Sequence, residues 1–339
     1  MLAGDAARAR LSGALGAVPL PPYEIVANVS EGRDPAILAV FTAVVAGSPG
    51  VRLLDVHHDA DHDRSVYTYV GDGEALSLAT RALARLAVAT IDLTSTKKSG
   101  AGRGVHPRIG AIDVVPVVPL GPDGSERGAV VIARALARAL AADLSLSVHL
   151  YGAVARSAAR AALPEIRRGG FELLRERQAQ LDGEPDEGPV VPHPTAGAVA
   201  VGVRPLMAAW NIQVIGAPTS ALLEAARALA TQLRATSPGG VPGLQALGFP
   251  LPSINGAQLS MNLHDVVGAA SRGVTLHEIR ARAHDAAQRI GVQLGETEIV
   301  GLIPEAALRA GGDPRQLVIR GEWERVTLEY ALREGDNQR

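Results

Sequence analysis

Two stretches of this chain pass through the same order of segments, and that order constrains the fold more than any other feature. Residues 23–29 (YEIVANV) form a short apolar run closed by the turn signal Ser30-Glu31-Gly32. Asp34 stands at an N-cap position and Pro35 at the first helical position, so the apolar period over 35–46 predicts a helix. Buried strands are expected at 51–56 (VRLLDV) and 64–70 (RSVYTYV), separated by the polar run HHDADHD. An Ala/Leu-rich helix follows over 74–93, then a glycine-dense loop, 97–110, and a strand at 111–118. Helix is expected at 128–142, strand at 146–151 and helix again at 154–173. Residues 178–194 (QAQLDGEPDEGPVVPHP), proline-rich and acidic, read as a linker. Beyond them the order restarts: strand near 200–215, helix 219–234, strands near 244–249 and 258–263, helix 275–290 and strand 298–302. Each half therefore reads β-α-β-β-α-β, which predicts an α/β layer rather than a bundle or a sandwich.

Composition narrows the function classes. The 33 Lys+Arg against 35 Asp+Glu leave a net charge of −2, without the basic excess of a general nucleic-acid binder. Cysteine is absent, which excludes thiol nucleophiles, Cys-ligated zinc and thiol redox chemistry. No stretch has the roughly 18 uncharged apolar residues of a membrane span. At the N-terminus, Asp5 precedes the first arginine and the following apolar run is broken by glycine, so we read residues 1–21 as a flexible extension, not a signal peptide. Absent thiols are compatible with a cytoplasmic setting.

Three clusters carry potential chemistry. The loop 97–110 holds Lys97, Lys98, Arg103, His106 and Arg108 among Gly100, Gly102, Gly104 and Gly110. Its cations would repel one another without an anion nearby, and glycines allow close approach of a ligand. No GxxxxGK[ST] or strand-linked GxGxxG is present to make it a nucleotide cradle. His106, beside Arg108, reads either as a surface histidine or as a catalytic one. The run His57-His58-Asp59-Ala60-Asp61-His62-Asp63 has metal-ligand types but no HExxH or calcium-loop spacing. Strand alternation would also split its side chains between two faces. A hydrogen-bonded acidic loop beside Arg64 is the expectation, with no metal. Pro192-His193-Pro194-Thr195-Ala196-Gly197 is a stiff connector or a close backbone contact.

These residues carry a resemblance. The blocks YEIVANVSEGRD (23–34), LLDVHHDADHDRSVYTYVG (53–71), GVHPRIGAIDVVPVVPL (104–120), VHLYGAVAR (148–156) and GPVVPHPTAGAVAVGVRP (188–205) resemble the formiminotransferase domain of the formimidoyltransferase-cyclodeaminase family, in its stand-alone form. The resemblance spans about 22–330. It implies two similar βαββαβ-type α/β subdomains with facing mixed sheets, helices outside and a ligand tunnel between. Residues 22–182 would form the first and 198–332 the second. Residues 183–197 would be a linker and folate-contacting segment, and 333–339 a frayed tail. The implied reaction moves the formimino group of N-formimino-L-glutamate to N5 of tetrahydrofolate, a co-substrate, and releases glutamate, in histidine degradation and one-carbon metabolism. The family tendency is a homodimer.

The resemblance places the catalytic role on His106. Substrate and folate binding fall on Asn28, Ser30, Glu31, Arg64, Arg108 and Gly110, and on Gly188, Pro189, Val190, Val191, Pro192, His193, Pro194, Thr195, Ala196 and Gly197. A histidine near its ordinary pKa of about 6.5 can take the proton N5 loses and return it to the departing amine. Arg64 and Arg108 suit carboxylates, and Glu31, Asp63 or Asp113 would face the cationic amidinium. The position four before His106, a second histidine in most relatives, is Gly102 here, and the acid common two after Asp55 is His57. A formyl transferase on the same fold, and a folate-binding relative without turnover, are the alternative readings.

Overall fold

The structure is a computed structural model that describes residues 20–96, 98, 104–120, 123–180 and 183–337. The described residues divide into two compact units, Leu20–Arg204 and those from Pro205 onward. Six positions of the glycine-rich loop, Lys97, Gly100, Gly102 and Arg103 among them, and residues 1–19 lie outside the described residues.

The first unit runs β1 (Tyr23–Val29), α1 (Pro35–Ala46), β2 (Val51–Asp59), β3 (Arg64–Gly71), α2 (Gly73–Thr90), β4 (Ile112–Pro119), α3 (Glu126–Leu144), β5 (Ser147–Gly152) and β6 (Ala198–Val203). The helices start where side chains meet the orphan N–H groups of the first turn: Asp34 accepts from Ala36 N and Ile37 N, Asp72 from Ala75 N and Ser125 from Gly128 N. The sheet order is β2-β3-β1-β4-β6-β5. Its first four strands are antiparallel and β6 joins β4 and β5 in parallel. Period-two alternation puts Ile25, Ala27 and Val29 of β1 into one core with Phe41, Leu76, Leu83, Leu136 and Leu140 of the three helices. The opposite face carries a smaller cluster, including Ile109, Val114, Tyr151, Ile166 and Leu174.

The second unit runs β7 (Ala208–Ile215), α4 (Thr219–Leu233), β8 (Leu244–Leu251), β9 (Gly256–Leu263), α5 (Leu276–Arg289) and β10 (Gln293–Ile299). Its sheet order, β8-β9-β7-β10, reproduces β2-β3-β1-β4 strand for strand. The two units thus share one βαββαβ topology, as the sequence order predicts. Only the first sheet is mixed; the second is antiparallel throughout.

Four expectations are corrected. The acidic, proline-rich stretch is not an interdomain linker. Glu187 O accepts from Val148 N, Asp186 N donates to Val148 O, and the following strand β6 sits in the first sheet, so the boundary falls at Arg204. The strand expected near 200–215 is two strands, β6 and β7, in different sheets. The helix expected over 154–173 is a chain of short turns, Ala158–Arg160, Leu163–Ile166 and Phe171–Leu173, because Pro164 and the left-handed Gly169-Gly170 pair break it. The tail from 333 continues a helix, Leu328–Asn337. Among the described residues no helix is long and apolar enough to cross a membrane.

Candidate active site

The connection from α2 to β4 carries His106, and three contacts hold its described part. Lys98 Nζ lies 2.8 Å from Glu31 Oε2 and 2.6 Å from Asp63 Oδ1, with all three side chains buried. Val105 N donates to Asp61 O at 3.1 Å, and Phe171 N to Arg108 O at 2.7 Å. Glu31 also accepts from Arg33 N and Asp34 N. Burial works to raise the Glu31 carboxyl, but hydrogen bonds from Lys98 and these two amides outweigh it, and the net shift is downward. The polar run 57–63 ends β2 and turns into β3. Asp59 Oδ1 accepts from His62 N, and Arg33 Nε donates to Ala60 O. Among the described residues no His/Asp/Glu group is arranged to hold a metal ion.

Arg64 is the hub. One arm of its guanidinium donates to His106 Nε2 at 2.8 Å and the other to Asn28 Oδ1. His106 Nδ1 lies 2.8 Å from Pro107 O and must be the protonated nitrogen there, which leaves the Nε2 lone pair for Arg64. Burial, then the charges of Arg64 and Arg167 and the neighbouring His62, hold His106 well below 6.5. This corrects the expectation of an ordinary titration: the side chain is a neutral imidazole in a cationic setting. Burial and Arg167 push Arg64 itself down to about 9, against the pull of Asp113 and Asp59, so it stays charged at neutrality.

The residues named from sequence divide into those that meet at His106 and those that build its walls. Asn28 and Arg64 meet it. Ser30 Oγ donates to Gly110 O at 2.7 Å, and Ser30 N to Ala111 O, so Ser30 ties the first turn to β4. Glu31, Asp63 and Asp113 are not open to a cation. The first two hold Lys98, while Asp113 accepts from Ile109 N and pairs with Arg167. Arg108, buried, donates to Lys98 O and pairs with Glu172 at 3.4 Å, so its guanidinium serves the loop.

The 188–197 segment closes one side. Gly188 adopts φ +84, and Ser147 Oγ holds Pro189 O at 2.6 Å, while Val190 and Val191 are exposed. Pro192, His193, Pro194 and Thr195 make a tight turn in which His193 N and Gly197 N bond each other's carbonyls and His193 Nδ1 accepts from Ala196 N at 3.0 Å. Ala196 O then accepts from Ala111 N, and Ala198 N donates to Ile109 O. A side chain at Gly197 would meet Ile109 O at 2.1 Å, and its φ of +70 already favours glycine. This turn therefore lies against the stretch that follows His106.

Sequence reasoning missed Arg167 and His149. Arg167 lies in the stretch misread as helix and has no local motif. His149, buried on β5, stands 2.8 Å from Arg160 Nη2 and from the Gln178 amide, and burial with Arg160, Arg177 and Arg156 pushes it down to about 3. The Lys98 anchor left a signal: a basic loop and two acidic turns in one chain invite pairing.

The family model of the formiminotransferase domain, N-terminal subdomain, matches residues 23–204, and that of the formiminotransferase domain matches 209–315. The chain belongs to the formiminotransferase family. It is 34% identical to the glutamate formimidoyltransferase of Streptococcus pyogenes serotype M1, over 84% of this chain and 90% of that protein. The glutamate formimidoyltransferase of Thermoplasma acidophilum is 35% identical, over 84% and 89%. The mouse formimidoyltransferase-cyclodeaminase is 33% identical over 90% of this chain, which spans 55% of that longer relative. Both family matches follow the unit boundary at Arg204 rather than the acidic stretch.

Proposed function

We propose that this member transfers the formimino group of N-formimino-L-glutamate to N5 of tetrahydrofolate and releases L-glutamate. The Arg64 fork carries the reading, because it holds a neutral histidine with its Nε2 lone pair turned into a cationic site. Relatives named glutamate formimidoyltransferase, matched over most of both chains, support it. Tetrahydrofolate supplies the nucleophilic N5, which bonds to the amidine carbon and is left with a surplus proton. His106 Nε2 takes that proton and gives it to the glutamate nitrogen as the carbon–nitrogen bond to glutamate breaks, so the imidazole ends as it began. A histidine held far below neutrality is a weak base. A substrate carboxylate on Arg64 and Arg167 would cancel their charge and bring His106 back toward the working range. The 188–197 segment, packed beside residues 109–111, is assigned to the folate. We place the enzyme in the cytoplasm as a homodimer, in histidine degradation.

The test is an assay of the purified chain with N-formimino-L-glutamate and tetrahydrofolate. His106→Ala is expected to lower turnover by about 10²–10⁴-fold with the fold intact by circular dichroism. Wild-type turnover in that variant would overturn the role of His106. Formyl exchange from 5-formyltetrahydrofolate without formimino transfer would overturn the choice of group.

A further inference from the structure

The second unit holds a cavity of about 540 Å³ lined by α5 and by the stretch 311–316, within the roughly 300–1,000 Å³ usual for small-molecule sites. α5 sends Leu276, Ile279, Ala283, Ala286 and Ala287 into the core of the unit. The helical period therefore turns His277, Ala281 and His284 the other way, at spacings of four and three, and Arg280 lines the same cavity. Ala281 is the small residue between two imidazoles on that face, so a slot stays open over it. Gln316 and Gly311 line the cavity from the other segment.

The polar groups of this cavity ask for opposite charges. Arg280 Nη1 donates to Thr297 Oγ1 at 2.8 Å and Nη2 to Gly295 O at 3.2 Å, both on β10. A guanidinium has five N–H donors, so these two bonds leave three. Among the described residues Arg280 pairs with no carboxylate, whereas Arg160, Arg167 and Arg177 each have one in reach. Burial lowers the Arg280 pKa, and no neighbouring acid raises it again. His277 Nε2 lies 2.9 Å from Leu308 O and carries the proton there, which leaves the Nδ1 lone pair of the neutral ring as an acceptor. A Cβ on Gly312 would stand 2.9 Å from that Nδ1 and 2.7 Å from Gln316 Oε1, so the two acceptors converge over bare backbone. Glu278, held by Arg282 at 2.9 Å, adds a carboxylate to the lining beside His277.

A cation and a set of acceptors one helical turn apart, about 5–6 Å between Cβ atoms, suit a ligand with adjoining negative and positive ends. An inorganic anion would satisfy Arg280 but leave the acceptors unused and meet the charge of Glu278. A simple cation would meet Arg280 instead. A free α-amino acid carries both ends on one carbon. We propose that this cavity binds a free α-amino acid as its zwitterion, with the carboxylate on the remaining Arg280 N–H groups and the ammonium on His277 Nδ1 and Gln316 Oε1. The ammonium then has two acceptors, and the carboxylate has a planar partner that can bond both of its oxygens. The slot over Ala281 takes the ligand's side chain. This site uses neither His106 nor folate, so it stands apart from the transfer reaction.

The test adds each protein amino acid in turn to the full chain, at up to about 10 mM, and reads binding by ligand-observed NMR. At least one should bind. Its N-acetyl derivative, which lacks the ammonium, and its α-amide, which lacks the carboxylate, should each bind about ten- to a hundredfold more weakly, the scale of charge-assisted hydrogen bonds. Arg280→Gln should lose a similar factor. Because Arg280 also ties α5 to β10, a second variant separates binding from folding. Ala281→Phe, at an exposed helical position, leaves that tie in place and fills the slot. It should lose amino-acid binding by at least about tenfold with thermal unfolding and formimino transfer near wild type. If no amino acid binds, the proposal is overturned. Derivatives that bind as tightly as the parent amino acid overturn the zwitterion, and Ala281→Phe that binds like wild type puts the amino acid elsewhere and overturns the site. L-glutamate held at the His106 site would be recognised by that last result.

Discussion

Lys98→Met isolates what holds the loop that carries His106. The Lys98 ammonium sits 2.8 Å from Glu31 and 2.6 Å from Asp63, and the three side chains are 10%, 4% and 5% exposed. Methionine keeps the length of the stem and removes the charge, so two buried carboxylates are left facing one another without a cation. Losing one partner of a buried pair costs about 3–5 kcal/mol. Glu31 keeps its bonds from Arg33 N and Asp34 N, and Asp63 keeps Gly32 N and the Arg33 charge at 3.5 Å, which argues for the lower end, about 3 kcal/mol. With a urea slope near the upper end of the usual range, about 3 kcal/mol/M, the midpoint of the first unit should fall by about 1 M. Both tryptophans, Trp210 and Trp323, lie in the second unit, so their emission is an internal reference while far-UV circular dichroism reports both units. The triple variant Lys98→Met, Glu31→Gln, Asp63→Asn should recover most of the loss, because no buried charge is then stranded. Acid sensitivity gives a second readout. Glu31 is held below its unfolded value of 4.5, so its contribution is present above that pH and fades as pH falls through the folded value; Lys98→Met should flatten this fall. A far-UV midpoint unchanged in Lys98→Met would refute the reasoning.

Arg64→Lys should lower kcat/KM for formimino transfer by about a hundredfold with stability kept within about 1 kcal/mol, since an ammonium cannot bond His106 Nε2 and Asn28 Oδ1 as a fork; near-wild-type kinetics would count against the hub. Gly197→Ala, at φ +70 with Ile109 O in the way, should cost more in thermal unfolding than Gly273→Ala, at φ +85 with nothing within 4 Å, and equal losses would mean that the contact with residue 109 is unimportant. His149, held to about 3 against 6.5 when unfolded, makes the folded chain bind fewer protons between these values, so stability falls as pH drops from 6.5 to 3, by at most about 1.36 kcal/mol per pH unit. Glu24, raised to about 7 from 4.5, opposes that trend between those two values, and His149→Gln should remove up to one proton from the slope in urea titrations at several pH values.

The elements that could be read from the sequence are those whose burial is periodic. α1 has an aspartate cap, a proline at its first turn and an apolar stripe, and it begins and ends where the sequence places it. Most strands of both βαββαβ cores are short apolar or β-branched runs between turn residues and are legible in order; β7 is the exception, since the sequence runs it together with β6. The misreadings arose where tertiary contacts decide the matter. Proline and acid around 185–194 look like a linker, yet Asp186 and Glu187 are spent on β5, and β6 is captured by the first sheet through parallel bonds to β4 and β5. The site follows the same rule. His106 and Arg64 lie in recognisable blocks. Arg167 reaches Asp113 across 54 positions of sequence, and the downward shift of His106 is set first by burial and then by charges, both of which only folding brings about.

Comparing the two units locates what chemistry added to a shared scaffold. The turn between β2 and β3 ends in Asp63 at φ +50, and the turn between β8 and β9 ends in Asn255 at φ +49, each one residue before the returning strand. The backbone solution is the same, but the carboxylate holds Lys98 while the amide is exposed. After β1 the chain carries Ser30, Glu31 and Asp34; after β7 it carries Gly216, Ala217 and Pro218, with no acid. The sharpest difference is in the last crossover. Residues 290–292 suffice to join α5 to β10, whereas 91–111 join α2 to β4 and contain Lys98, His106 and Arg108. Three residues meet the geometric need of this topology, so the remainder of the first crossover is not demanded by the fold. Long connections in compact units are usually functional, and this one is held by a buried ion triad, a hairpin turn and the 193–197 turn. The α/β frame therefore accounts for the stability of both units, and the expanded α2–β4 crossover, with the charges that restrain it, accounts for why the proposed catalytic residues lie in the first.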